Sequence, residues 1–350
     1  MAKLSVGILG ATGMVGQTLV QLLENHPWFK VTELAASEKS AGDSYGKVMK
    51  NRWNISPSIP KYAQDIVVKE CKPDLDCDIV LSALDSGVAK EVEEDFARKG
   101  YAVSSNAKNH RMDPDVPLLI PEINADHVDL IRSQQKKRGW DGFIVTDPNC
   151  STIHLTLALK PLFDSFGLDK VMVTTMQALS GAGYPGVSSM DIVDNMVPFI
   201  NDEEDKVETE PLKILGNAGK DGIDYAKIKI SAQCTRVAVK YGHTESVSVK
   251  LREKASKEDI LRSFEDFRPN RSLGLPSSPK HPIVYLEQDN RPQPKLDVNL
   301  ENGMASVVGR LRPCNILDYK FIVLGHNLVR GAAGAAILNA ELLKVKGYVG

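Results

Sequence analysis

The stretch Gly10-Ala11-Thr12-Gly13-Met14-Val15-Gly16 is set between a short apolar run at residues 4–9 and a helical pattern that begins near Met14, an order that few folds accommodate. Glycines there permit a tight turn and let backbone N–H groups approach a pyrophosphate, while the helix N-terminus adds partial positive charge. The spacing is GxxGxxG, not GxGxxG, so the strand–loop–helix context carries the inference. Gly10, Thr12, Gly13, Met14 and Val15 are the residues expected against a dinucleotide. Val15, Leu19, Leu22 and Leu23 recur at helical spacing. Phe29–Ala36, Asp78–Ala83 and Ala102–Ser105 read as further strands, with a helix over Val88–Lys99. Strands alternating with helices imply a parallel sheet covered on both faces.

From Cys150 the texture changes. A helix over Ser151–Leu162 is followed by strand-like stretches at Lys170–Leu179, Lys227–Tyr241, Glu245–Leu251 and Met304–Arg312. Longer strands with fewer helices between them suggest a mixed sheet. A chain of 350 residues is also too long for one ordinary core. The expected fold is α/β: a Rossmann-type parallel-sheet domain over 1–149, plus an α+β catalytic and dimerisation domain with a mixed sheet over 150–329. Gly331–Lys346 reads as one helix that pattern alone assigns to neither domain.

Partners follow from charge. A net charge of -2 offers no broad footprint for nucleic acid or an acidic membrane, so small molecules in locally charged pockets are expected. No apolar run approaches the roughly 20 residues of a membrane span, and no leader pattern opens the chain. The five cysteines are odd in number and scattered, which fits neither a disulfide framework nor a zinc site. A reduced, cytoplasmic protein without a metal is expected.

The end of the second strand bears on the cofactor. An NAD enzyme places an acid there for the ribose diol. Here Ser37, Lys39 and Ser40 suit a 2′-phosphate, and Glu38 either faces the ribose or points to solvent. NADP is therefore expected. Cys150, between the strand Gly142–Thr146 and the next helix, is the candidate nucleophile. A thiol at a helix N-terminus gains from the dipole, which lowers its pKa, so iodoacetamide is expected to label it before the other four cysteines.

At Asn149-Cys150-Ser151-Thr152 the sequence resembles the aspartate-semialdehyde dehydrogenase family, in its archaeal and fungal branch. The likeness extends through Ser105-Asn106-Ala107, Pro114-Asp115-Val116-Pro117 and Gln177-Ala178-Leu179-Ser180-Gly181-Ala182-Gly183. It continues in Glu203-Glu204-Asp205-Lys206, Arg236-Val237-Ala238-Val239 with Gly242-His243, and Arg291-Pro292-Gln293-Pro294. The resemblance implies that Cys150 attacks an aldehyde carbon, that hydride loss leaves a thioester, and that phosphate displaces the thiol to give aspartyl 4-phosphate. Biosynthetic flux toward lysine, threonine, methionine and isoleucine runs in reverse.

It further implies roles residue by residue. His243 is the acid/base group, on a turn expected to expose it, and Gln177 orients the acyl intermediate. Arg236, in one strand-and-turn unit with His243, forks the substrate carboxylate. Glu203 meets the substrate ammonium, although Glu204 could be the residue that faces the site. Lys206, Arg111 and Asn149 bind phosphate. Ser180 and Gly181 lie near the nicotinamide, and Asn327 marks the return of residues 330–350 to the first domain. A homodimer or homotetramer is implied.

The nearest alternative is a malonyl-CoA reductase of the same fold, which releases a CoA thioester. Asn149 and the Glu203…Lys206 pair argue against it. N-acetyl-glutamyl-phosphate reductase is more distant, since its substrate has no free ammonium to meet Glu203. A non-catalytic dinucleotide sensor would need only the glycine loop, and would not need Cys150, His243, Arg236 and Gln177 together.

Overall fold

The structure is a computed structural model that describes residues 2–219, 222–269 and 273–350. Strands Leu4–Leu9 (β1), Phe29–Ala36 (β2), Val68–Glu70 (β3), Ile79–Ser82 (β4), Ala102–Ser105 (β5) and Phe143–Thr146 (β6) form one six-stranded sheet, order β3-β2-β1-β4-β5-β6. Every pairing in it is parallel. β4, β5 and β6 are buried along their whole lengths, as a sheet with both faces covered requires. Strand order reverses between β1 and β4, and such a switch point opens a ligand crevice at the carboxyl ends of the strands.

The second sheet joins Leu168–Gln177 (β7), Lys229–Arg236 (β10), His243–Leu251 (β11), Ile283–Leu286 (β12), Ser306–Pro313 (β13) and Tyr319–Gly325 (β14) in the order β10-β7-β11-β14-β13-β12. Its two edge pairings are parallel and the three inner ones antiparallel. Two further strands, Asn217–Ala218 (β8) and Ile223–Asp224 (β9), pair apart from it. Burial along β7 and β11 nearly alternates, so this sheet has one covered face and one more open face. The covered face receives Leu155, Ala158, Leu159 and Leu162 from the helix Cys150–Phe166.

The C-terminal helix Gly334–Val345 packs Ile337, Leu338, Leu342 and Leu343 into the core around β1 and β2, beneath the first sheet. Its apolar residues would suit either core; the long-range contact chose one. Among the described residues no helix is long and apolar enough to cross a membrane.

Several elements depart from the sequence expectation. The helix expected to end at Leu162 continues to Phe166, with Pro161 accommodated inside it. The strand expected over Lys227–Tyr241 stops at Arg236, because the chain there crosses the end of β7. Val237 N–H donates to Gln177 O, and Leu179 N–H to Val239 O. Arg236 and His243 therefore sit on strands separated by β7, not in one strand-and-turn unit. The helix expected from Gly331 is preceded by a wide π-type turn, Val329–Ala333. β12, β14 and the charged helices Glu203–Ile214 and Lys257–Asp266 were unassigned. The last helix carries a Ser256/Asp259 capping box but buries only Ile260 and Phe264.

Candidate active site

A cavity of about 1220 Å³ runs from the glycine loop to Cys150, and its wall is drawn from both sheets' loops. Gly10 (φ +72°) belongs to the left-handed region, and a Cβ there would lie 2.5 Å from Ala83 O. A Cβ on Gly16 would run into the Gly10 carbonyl oxygen. Gly13 meets nothing closer than 3.5 Å, so its face of the loop stays open. Gln17 Nε2 donates to Thr12 O and Tyr45 Oη to Ala11 O, which pins the loop from behind. Gly10, Thr12, Gly13, Met14 and Val15 all line the cavity. These are the features that a pyrophosphate cradle needs.

The four residues after the second strand divide. Ser37 and Glu38 line the wall, so the carboxylate borders the cavity. Ser40 N–H donates to Ser37 O in a tight turn that buries Ser40 and leaves Lys39 exposed, and neither lines the cavity. The cations on this wall are Arg52 and Lys72. Lys72 is 2.6 Å from Glu70. Arg52 was not singled out from the sequence; it reaches the wall from a connection far from the strand end, and nothing local signals it.

At the opposite end, Asn149 caps the helix Cys150–Phe166: its Oδ1 accepts from Ser151 N–H and Thr152 N–H at 3.0 and 3.2 Å. This sets Cys150 at the first helical position. His243 Nε2 lies 3.1 Å from Cys150 Sγ, and His243 Nδ1 accepts from Ala178 N–H at 3.0 Å. With Nδ1 committed as an acceptor, the neutral ring carries its hydrogen on Nε2 and presents it to sulfur. The expectation of an exposed histidine is corrected here: His243 is wholly buried, because it opens β11 directly beneath Cys150 and the 178–183 loop. Gly181 makes that convergence possible, since a Cβ there would come within 2.9 Å of both His243 Cε1 and Arg236 Nη1. Asn327 ties the loop down by accepting from Gly242 N–H and donating to Ser180 Oγ.

One helix, Glu203–Ile214, supplies the rest. Glu203 is buried and Glu204 exposed, which resolves which acid faces the cavity. Glu203 accepts from Asn149 Nδ2 (2.7 Å), Gln177 Nε2 (3.0 Å) and Lys206 Nζ (3.0 Å). Arg236 is buried, donates from Nη1 to Ala178 O and lines the same cavity. Arg111 gives Nη1 to Glu210 and Nη2 to Asn106 O, and its Nε has no partner among the described residues. Glu210 was not foreseen: its other oxygen accepts from Asn149 N–H at 2.7 Å, so one carboxylate links Arg111 to the residue before the thiol. Lys213, also unforeseen and wholly buried, donates to the carbonyls of Arg111, Asp113 and Val116. Only helical periodicity at 203, 206, 210 and 213 could have hinted at these two.

The electrostatics reverse one expectation. Burial first, then the Glu203 carboxylate, push the Cys150 thiol up to about 12 against Arg111, Arg236 and the Ser151 N–H. Burial pulls His243 down to about 3. The resting pair at neutral pH is thus a thiol and a neutral imidazole, and the helix terminus alone does not ionise Cys150. Cys314, by contrast, is held below the usual thiol range, first by the Leu317 N–H and then by that of Ile316. We therefore expect mild iodoacetamide at neutral pH to modify Cys314 before Cys150 in the ligand-free protein, read by peptide mass spectrometry. Faster labelling of Cys150 would mean that the resting site holds a thiolate. Among the described residues no group of three or more His, Cys, Asp or Glu could hold a metal ion.

Two domain families match the chain: the semialdehyde dehydrogenase NAD binding domain over residues 5–131 and the semialdehyde dehydrogenase dimerisation domain over 159–330. An aspartate-semialdehyde dehydrogenase of Archaeoglobus fulgidus is 54% identical over 342 residues, 97% of this chain and 98% of that protein. One from Candida albicans is 45% identical over all of both chains. The crystal structure of aspartate semialdehyde dehydrogenase with NADP from Candida albicans superposes with a TM-score of 0.91 at 44% identity, covering 99% of each chain. A Vibrio cholerae aspartate semialdehyde dehydrogenase II complexed with ASA gives a TM-score of 0.78 at 26% identity, covering 98% of this chain and 99% of that one.

Proposed function

The chain belongs to the aspartate-semialdehyde dehydrogenase family, and from that premise we propose that it uses NADP and a Cys150 thioester to interconvert aspartate 4-semialdehyde and aspartyl 4-phosphate. The observation that carries this reading is the convergence of Cys150, His243, Arg236 and Glu203 at one end of a cavity whose other end is the glycine loop. NADP would lie along Gly10–Val15 with its ribose phosphate toward Ser37 and Arg52, and when bound it supplies the hydride acceptor or donor. Ser180 and Gly181, pinned by Asn327, border the nicotinamide end.

Arg236 forks the substrate carboxylate, and Glu203 takes the ammonium. The second contact also prepares the nucleophile. Glu203 is the charge that, after burial, most raises Cys150. An incoming ammonium offsets it, the thiol proton passes to solvent, and the His243 Nε2–H stabilises the thiolate it faces; the sulfur regains a proton from solvent once phosphate has displaced it. Sulfur adds to the aldehyde carbon to form a thiohemiacetal, and loss of hydride leaves the thioester, oriented by Gln177. Phosphate, held by Arg111, Lys206 and the Asn149 amide, displaces the thiolate. One proton is released per oxidative turnover, from the monohydrogen phosphate. The dimerisation-domain match supports a homodimer or a homotetramer.

The test distinguishes an aspartyl from a malonyl substrate, which lacks the ammonium. Glu203→Gln should lower kcat/KM for aspartate semialdehyde by about tenfold or more, a charge-assisted contact being worth roughly 1.5–3 kcal/mol. The same change should speed alkylation of Cys150, because the charge opposing its ionisation is gone. A neutral Glu203→Gln, together with faster reduction of malonyl-CoA than oxidation of the aldehyde, would transfer the assignment to malonyl-CoA reductase. For the cofactor, NADP should be preferred over NAD by more than about tenfold on the same energetic grounds. Ser37→Asp should erase that preference. Equal use of both cofactors by the unaltered protein would show that Glu38 governs this wall.

A further inference from the structure

Proton balance exposes a requirement that the residues above leave unmet. In the reductive direction the Cys150 thiolate attacks the acyl phosphate; the carbon–sulfur bond forms, the carbon–oxygen bond breaks, and phosphate leaves. It leaves as the trianion unless a proton reaches it as the bond breaks. In the oxidative direction monohydrogen phosphate must shed that same proton as its oxygen attacks the thioester. Arg111 stays protonated at any relevant pH and cannot take it. His243 is turned to sulfur, with its other nitrogen occupied by the Ala178 amide. Lys206 is paired with Glu203.

Asp147 lies in this corner. It follows β6, its N–H bonded to Ser105 O, three residues before the nucleophile, and it lines the cavity with Asn106, Arg111 and Asn149. Its residue exposure is 1%, yet neither carboxyl oxygen has a hydrogen-bond partner among the described residues. Arg111 Nε and Asn106 Oδ1, in the same wall, are likewise without partners. A buried polar group left unpaired is costly, so a cluster of them in a cavity wall signals a polar ligand. The guanidinium does not satisfy Asp147: Nη1 of Arg111 donates to Glu210 and Nη2 to Asn106 O, and no Arg111 nitrogen bonds to either Asp147 oxygen. Burial, opposed by Arg111, holds the Asp147 carboxyl well above the usual carboxylate range. Protonated, that carboxyl can donate to a leaving phosphate; ionised, it can accept the proton of monohydrogen phosphate, and a group serving both directions passes between these two forms.

We propose that Asp147 carries the proton of the phosphate half-reaction, donating it to the leaving phosphate when the thioester forms and taking it back when phosphate attacks. The proposal rests on the reading of Arg111, Lys206 and Asn149 as the phosphate site. Asp147→Asn, which keeps the shape but holds no exchangeable acid proton, separates the half-reactions. Rapid mixing with aldehyde and NADP, phosphate omitted, reports acylation as a burst of NADPH; added phosphate then reports deacylation. The burst should persist in Asp147→Asn, whereas phosphate-driven turnover should fall by about a hundredfold, the lower range for general acid–base catalysis. An equal loss in both steps makes Asp147 merely structural, and an unchanged phosphate step places the proton elsewhere; either overturns the proposal. Should the variant not fold, the unaltered enzyme in heavy water decides: a solvent isotope effect on the phosphate step is expected, and its absence overturns the proposal. A missing burst in the unaltered enzyme would instead refute the thioester reading.

Discussion

Cys150→Ser is expected to abolish turnover by several powers of ten while fold and NADP binding persist. An alkoxide is far harder to generate than a thiolate, and the site already pushes the native thiol up to about 12. A hydroxyl in the same place, facing the same Nε2–H, would stay protonated. The substitution is small and nearly isosteric at a half-buried position capped by Asn149, so the helix Cys150–Phe166 should form as before. Three measurements check this: the thermal midpoint, NADP binding by fluorescence, and the NADPH burst. The first two should match the unaltered protein and the third should vanish. A burst that survives in Cys150→Ser would exclude sulfur as the attacking atom.

Arg236→Lys should be the most damaging conservative change. Lysine keeps the charge but has no planar fork, so it can make only a point contact with the substrate carboxylate. It also withdraws the donor that Arg236 Nη1 supplies to Ala178 O, whose own N–H positions His243. Losing a charge-assisted bond costs roughly 1.5–3 kcal/mol, and the misplaced loop adds to it, so kcat/KM for the aldehyde should drop by about a hundredfold or more. Both KM and kcat should suffer, because binding and the orientation of His243 share this residue. An unchanged KM would remove Arg236 from the carboxylate site. Aldehyde titrations at saturating phosphate and NADP supply the readout.

Much of the site was legible in the chain because its signals are local. The glycine loop is short-range turn chemistry: the positive φ at Gly10 and the close approach of Gly16 are demands of a few consecutive residues. The position of Cys150 at a helix start follows from Asn149 beside it. The parallel sheet was readable because alternating strands and helices admit few topologies. The wall expected to meet the 2′-phosphate was only half readable. Ser37 reaches the cavity, but a single backbone hydrogen bond, Ser40 N–H to Ser37 O, turns Lys39 away, while Arg52 arrives from a separate connection.

The candidate groups of the site and the alternation of the first sheet are written in neighbouring residues and their periodicity, which is why both could be read from the chain. How those candidate groups are placed and charged depends on contacts between distant parts of the chain. The strand order placed β7 between Arg236 and His243, and packing buried His243 against Ala178 N–H. The helix Glu203–Ile214 brings Glu203 close enough to oppose ionisation of Cys150, and Asp147 is buried in the cavity wall with no hydrogen-bond partner for its carboxyl among the described residues. Desolvation and charge proximity act through space over a few ångströms, between residues dozens of positions apart, so no reading of adjacent residues could have ordered them.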